Sequence, residues 1–157
     1  MNPGRIALVT GRPNSGKTAY LSALLQRAQR LGKSTGGVLS HGLWIHGDKR
    51  GFEVEIVASG EKHVLAGTDL QGTDTLRYGR FIFAAPVFER AVEALQESTG
   101  KEVVVVDEYG PLEQRDGGLW PGIAHLLRHH DGCLLISVRP ALVHELVQRI
   151  RTGGQAP

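Results

Sequence analysis

Residues 11–18 read Gly-Arg-Pro-Asn-Ser-Gly-Lys-Thr, an unbroken G-x-x-x-x-G-K-[ST] phosphate-binding pattern. The apolar run Ile6-Ala7-Leu8-Val9 precedes it, and a helix-like segment from Ala19 to Leu31 follows. Each residue type suits a polyphosphate. Glycine at 11 and 16 lets the chain curl so that successive backbone N–H groups point at phosphate oxygens, and the start of the next helix adds partial positive charge. Lys17 supplies a mobile cation for the β- and γ-phosphates, and the Thr18 hydroxyl is a ligand for Mg²⁺, which binds together with phosphate oxygens. The expected nucleotide contacts are Gly11, Arg12, Pro13, Asn14, Ser15, Gly16, Lys17, Thr18 and Ala19.

A second chemical signal is Val103-Val104-Val105-Val106-Asp107-Glu108. Four β-branched residues in succession describe a strand buried on both faces, as in the middle of a parallel sheet. Its C-terminal end is where open α/β sheets bind ligands. Asp107 suits the acidic partner of the phosphate loop, holding Mg²⁺ directly or through water, and Glu108 suits the orientation or deprotonation of an attacking water. A further cation is expected for the charge that develops on the γ-phosphate. Arg139, just past the apolar run Cys133–Val138, is the first candidate; Arg12, Arg77 and Arg80 compete with it.

The elements that must position these groups alternate as in an α/β domain. Leu21, Leu24, Leu25, Ala28 and Leu31 recur at helical spacing, with Gly32 as a stop signal. Thr35–Ser40 is a weaker strand candidate. A small antiparallel meander is expected over residues 43–66, with turns at Gly47–Gly51 and Ser59-Gly60, packed at one edge of the sheet. Residues 67–79 read as a polar connection or lid, and Arg80–Phe83 as a short strand. Helices are expected from Pro86 to Gly100, over Leu119–His130, and from Pro140 onward, with the tail fraying after about residue 152. The fold class is therefore a three-layer α/β sandwich with a mostly parallel central sheet, in one domain spanning 1–157.

Composition narrows the function classes. The 157 residues are 41% apolar and 22% charged, with a net charge of +2, no basic run and nine aromatic residues, which does not suggest nucleic-acid binding. No apolar stretch approaches membrane-spanning length, so a cytoplasmic protein without a membrane partner is expected. The lone Cys133 excludes an internal disulfide and reads as a core residue. His125 and His129 have a ligand-like spacing but no accompanying motif, and Trp44 and Trp120 read as packing residues before base-stacking ones. Glu113 reads as a brace for the loop after Asp107.

Thr10–Thr18, Gly36-Gly37-Val38 leading to Arg50-Gly51-Phe52, Arg77–Phe81 and above all Val106-Asp107-Glu108-Tyr109-Gly110-Pro111-Leu112-Glu113 together resemble the THEP1-type nucleoside-triphosphatase family over nearly the whole chain. That resemblance implies a P-loop NTPase-like fold and Mg²⁺-dependent hydrolysis of several nucleoside triphosphates, ATP and GTP among them. It implies phosphate, magnesium and water-activating roles for Lys17, Thr18, Asp107 and Glu108. Two departures are visible: His41-Gly42-Leu43-Trp44 stands where the family carries charged residues, and the chain stops after its last helix where the family continues into another strand. Hydrolysis is the leading reading. A small-molecule or nucleotide kinase is the enzymatic alternative, and a nucleotide-dependent accessory protein acting through an unknown partner is the non-enzymatic one.

Overall fold

The computed structural model describes residues 4–154. Among them, strands β1 (Ile6–Thr10), β2 (Thr35–Ile45), β3 (Asp48–Ile56), β4 (Lys62–Gly67), β5 (Thr75–Tyr78), β6 (Phe81–Ala84), β7 (Val103–Tyr109) and β8 (Cys133–Val138) form one sheet in the order β1-β8-β7-β2-β3-β4-β6-β5. Helices α1 (Lys17–Arg30), α2 (Ala85–Glu97), α3 (Pro111–Gln114), α4 (Trp120–His129) and α5 (Val143–Arg151) cover it. The strands β1, β8, β7 and β2 are parallel, and everything beyond β2 runs antiparallel.

The valine run explains why the parallel half is covered on both faces. Successive strand side chains alternate in direction. Val104 and Val106 enter a core shared with Leu95 of α2, Ile123 of α4 and Leu146 of α5, whereas Val105 enters the core that Leu21 and Leu25 of α1 seal from the other side. All three valines are fully buried, and each such side chain contributes about 1.5–3 kcal/mol of transfer free energy. The expected three-layer arrangement follows from this single strand. Leu21 and Leu25, four apart, form the stripe that docks α1, and Arg27 and Arg30 complement its C-terminal end.

Parallel register then sets the site. Val9 pairs with Ser137, Thr10 with Val138, Val106 with Ile136 and Val38 with Val106. The chain leaving β1 at Gly11, Asp107 on β7, Ser137 on β8 and Ser40 on β2 consequently reach the same edge of the sheet. Gly37 permits the β2–β7 approach: its φ is +105°, and a Cβ there would stand 1.9 Å from the Val105 carbonyl oxygen.

Several boundaries differ from those read in the sequence. Thr35–Ser40 and Leu43–Ile45 belong to one eleven-residue strand, because pairing with β7 on one side and β3 on the other carries the chain through Gly42. The turn expected at Gly47–Gly51 is only His46-Gly47, whose φ values of 51° and 76° match a two-residue hairpin turn, so Asp48–Gly51 join β3. Thr75–Tyr78, placed in a polar connection, pair with β6. α2 ends at Glu97 rather than Gly100, and Pro140–Leu142 form a 3-10 turn before α5. Residues 152–154 are tied down by N–H bonds from Gly153 to Ile150 O and from Gly154 to Arg149 O; the rest of the expected fraying tail lies outside the described residues. No described helix is long and apolar enough to cross a membrane.

The Gly37 geometry predicts that Gly37→Ala lowers unfolding free energy by about 3 kcal/mol, through an unfavourable φ and contact with the backbone of β7. Urea denaturation followed by circular dichroism measures this, and a loss within the noise of the native value would contradict the close β2–β7 approach.

Candidate active site

The loop Gly11–Gly16 turns directly out of β1 into α1. Asn14 at φ 60° and Gly16 at φ 94° bend it, and the Ser15 N–H donates to Arg12 O at 3.1 Å. Helix α1 begins at Lys17, two residues before the expected start, so the lysine and Thr18 stand on its first turn. Lys17 Nζ donates to Gly11 O at 2.7 Å and to Arg12 O at 3.1 Å, spanning the loop from inside.

Asp107 is the meeting point of the parallel strands. Its Oδ2 accepts from the Thr18 hydroxyl at 2.6 Å and from the Ser40 N–H at 3.0 Å, and its Oδ1 accepts from the Ser137 hydroxyl at 2.6 Å. It is 4% exposed. A carboxylate so buried is tolerated because both oxygens are hydrogen-bonded. Thr18 Oγ1 also lies 3.2 Å from Ser40 O. Two hard oxygen donors, one anionic, thus face each other across the α1–β7 gap, the donor chemistry that suits Mg²⁺.

Glu108 follows across a cis peptide bond and is half-buried. Burial pushes its carboxyl above the usual carboxylate range, opposed by the Arg139 cation. The Nε of Arg139, the arginine expected as the second cation, lies 3.5 Å from Glu108 Oε1 and is paired with the glutamate. Of its competitors, the Arg80 guanidinium bonds Asp48 and the Lys49 carbonyl, Arg77 is exposed on β5, and Arg12 is exposed in the loop.

Sequence reasoning missed Ser40 and Ser137, which bond Asp107, and it missed Lys49. Because Asp48–Gly51 are strand rather than turn, Lys49 lies across from Trp44 and extends toward the phosphate loop, its Nζ 3.3 Å from Asn14 Oδ1. The ammonium sits 4.3 Å from the Phe52 ring centre and 5.6 Å from that of Trp44. Burial pulls its pKa below the usual lysine value, while the charges of Glu108 and Asp107 act in the opposite sense. A cavity of about 510 Å³ lies between Lys49, Lys17, Thr18, Asp107 and Glu108. His41, Gly42 and Trp44, the segment that departs from the resembled family, form part of its wall, and Trp44 is exposed rather than packed in the core. A basic residue opposite an aromatic across a hairpin of the right register was the only available cue, and it required the turn length to be known.

Behind the carboxylates, Glu113 braces the loop as expected. Its Oε2 accepts the Gly110 N–H at 2.9 Å and its Oε1 accepts the Leu119 N–H at 3.0 Å. Arg149 of α5 holds the same loop through Glu113 O at 2.9 Å, the Tyr109 hydroxyl at 3.1 Å and Asp116, with its guanidinium 3.4 Å over Trp120. Trp120 is therefore a packing residue. The His125 and His129 ring centres lie 4.6 Å apart with the rings tilted by 45°, but no group of three or more metal-ligating side chains occurs among the described residues.

A glycine-bounded loop at the end of β1, a helix opening on its lysine, and a buried strand-end aspartate bonded to its threonine define a P-loop nucleotide-binding α/β protein. More particularly, the chain belongs to the NTPase family, whose sequence profile matches residues 6–156. It is similar to the nucleoside-triphosphatase THEP1 of Methanothermobacter thermautotrophicus, 34% identical over 107 residues that make up 68% of this chain and 60% of that protein. The chain thus spans about 60% of that relative's length. It is also similar to the nucleoside-triphosphatase THEP1 of Thermococcus kodakarensis, 28% identical over 153 residues, 94% of this chain and 81% of that protein. The solution structure of a human cancer-related nucleoside triphosphatase shares the fold, with a TM-score of 0.70 over 95% of this chain and 84% of that one at 24% identity. The family resemblance carried by the motifs is therefore borne out.

The double backbone bond of Glu113 predicts that Glu113→Gln destabilises the protein by about 1–3 kcal/mol, because the amide turns one acceptor into a donor facing a buried N–H. Chemical denaturation of the variant checks this; unchanged stability would mean the loop after β7 is held by other contacts.

Proposed function

We propose that the chain hydrolyses nucleoside triphosphates, ATP and GTP among them, to the diphosphate and phosphate with Mg²⁺. The observation that carries this reading is Asp107, bonded to Thr18 of the phosphate loop, with Glu108 next to it on the wall of the same cavity. The loop N–H groups and Lys17 bind the β- and γ-phosphates. Thr18 and Asp107 would hold Mg²⁺, which when bound offsets charge on the phosphate oxygens.

Glu108 takes the proton of the attacking water. The water oxygen bonds to the γ-phosphorus as the bond to the bridging oxygen breaks and the diphosphate leaves. A raised carboxyl pKa makes Glu108 a stronger base than an ordinary glutamate, and pairing with Arg139 orients it. Lys49 supplies the second cation on the γ-phosphate side, a task usually given to an arginine. Its partial desolvation beside Phe52 strengthens its interaction with a phosphate dianion over that of a water-exposed lysine. The enzyme thereby carries both cations in one chain, one from the loop and one from the β2–β3 hairpin.

Phosphate release from ATP, GTP, CTP and UTP tests the assignment. Glu108→Gln is expected to lower kcat by about 10²-fold or more with little change in nucleotide affinity. Lys49→Ala is expected to lower kcat by about 10–10³-fold, with Lys49→Arg recovering part of it. Lys17→Ala is expected to weaken nucleotide binding itself. Turnover unaffected by Glu108→Gln would remove the glutamate from the reaction, and full activity in Lys49→Ala would return the second-cation role to Arg139.

A further inference from the structure

A second cavity, of about 270 Å³, meets the phosphate cavity at Glu108. Ser40, Phe52, Asp107 and Glu108 line both, so the two carboxylates and one phenylalanine form the partition between them. A hydrolase needs room there for one water, about 30 Å³ in the liquid. The space on the far side of Glu108 is several times larger, and its wall is aromatic. Phe52 and Phe81 meet edge to face at 5.0 Å, Phe52 and Phe83 stack at 6.4 Å, and Phe83 and Phe88 stack at 5.5 Å. Its volume lies near the lower limit of small-molecule sites, about 300 Å³, which suits one ring rather than two.

The cavity's charges define what enters. Arg80 donates to Asp48 Oδ1 at 3.3 Å and to Lys49 O at 2.8 Å, with its guanidinium 4.9 Å over Phe81. Arg139 is paired with Glu108, and both oxygens of Glu113 accept backbone N–H groups. Every charged group on the wall thus has a partner within the protein. A phosphorylated or carboxylate-bearing acceptor would have to break one of these pairs, whereas a neutral molecule leaves them intact.

We propose that this cavity binds a neutral single-ring alcohol whose hydroxyl takes the place of water as phosphoryl acceptor at Glu108. This rests on the nucleoside-triphosphatase reading of the adjoining site. The ring packs among Phe52, Phe81, Phe83 and Phe88, and the hydroxyl points through the partition toward the γ-phosphate. The alcohol oxygen bonds to the γ-phosphorus, the bond to the bridging oxygen breaks, and the nucleoside diphosphate leaves with that electron pair. The hydroxyl proton passes to the Glu108 carboxylate and then to solvent. Hydrolysis is the same reaction with water when no alcohol occupies the cavity.

The test incubates the protein with Mg²⁺ and ATP in equal concentrations of ethanol, 1-butanol or 2-phenylethanol, and follows inorganic phosphate and phosphate monoester by ³¹P nuclear magnetic resonance. The expected result is 2-phenylethyl phosphate, exceeding ethyl phosphate by about tenfold or more, since the ring alone gains the aromatic wall. Leu112 lines the cavity and is half-buried, so it accepts a larger side chain. Leu112→Trp fills the space and is expected to abolish the ester while phosphate release stays within about twofold; Leu112→Ala, the folding control, keeps the ester. Phosphate release without ester from any alcohol overturns the acceptor site and leaves the hydrolytic reading standing. Equal ester in Leu112→Trp and the native chain also overturns it. Release of neither product overturns the hydrolytic reading and the acceptor site together.

Discussion

A single buried carboxylate organises this molecule. Asp107 accepts hydrogen bonds from α1 through Thr18, from β2 through the Ser40 N–H and from β8 through Ser137. A charge this deep is costly unless its oxygens are fully engaged. The parallel register supplies the required donors only where the C-terminal ends of β7, β2 and β8 lie level and the loop after β1 returns its threonine to them. The phosphate loop is thereby tied to the sheet at the point where a nucleotide's terminal phosphates would lie.

Two further sets of contacts keep that point fixed. On the far side of β7, the Tyr109 hydroxyl donates to Glu145 at 2.6 Å and accepts from Arg149, joining α5 to the strand that carries both site carboxylates. Burial and the neighbouring Glu145 raise the Tyr109 pKa, so the phenol stays a neutral donor across the physiological range. On the near side, the antiparallel half of the sheet adds a wall. The β2–β3 hairpin brings Lys49 and Trp44 beside the loop, while β3, β6 and helix α2 contribute the aromatic cluster beyond Glu108. The parallel half therefore places the glycine-bounded loop, Thr18 and the two carboxylates, and the antiparallel half adds Lys49 and the aromatic wall beside them.

Much of this was legible in the chain because the relevant residues are local. The phosphate loop is eight consecutive residues, and the valine run with its two acids is six, so pattern and placement could be read together. Contacts made by distant residues were not legible. Ser137 reaches Asp107 across 30 positions and Arg149 reaches Glu113 across 36, and a serine in an apolar strand or an arginine in an amphipathic helix carries no local mark of such a partner. Lys49 was hidden differently. Asp48-Lys49-Arg50-Gly51 has the composition of a turn, but the positive φ values of His46 and Gly47 complete the reversal in two residues, and the next four become strand. Arg139 was rightly brought to the same sheet edge, yet its pairing with Glu108 depends on the direction of a side chain that spacing does not encode.

The central claim is that Asp107 joins the phosphate loop to a divalent cation. Nucleotide affinity measured by calorimetry with and without Mg²⁺, in the native protein and in Asp107→Asn, addresses it most directly. Mg²⁺ should tighten ATP binding to the native chain. The variant, checked to be folded by circular dichroism, should lose that enhancement and retain the affinity measured without the metal. An Asp107→Asn protein whose ATP binding still tightens with Mg²⁺ to the native extent would contradict the claim.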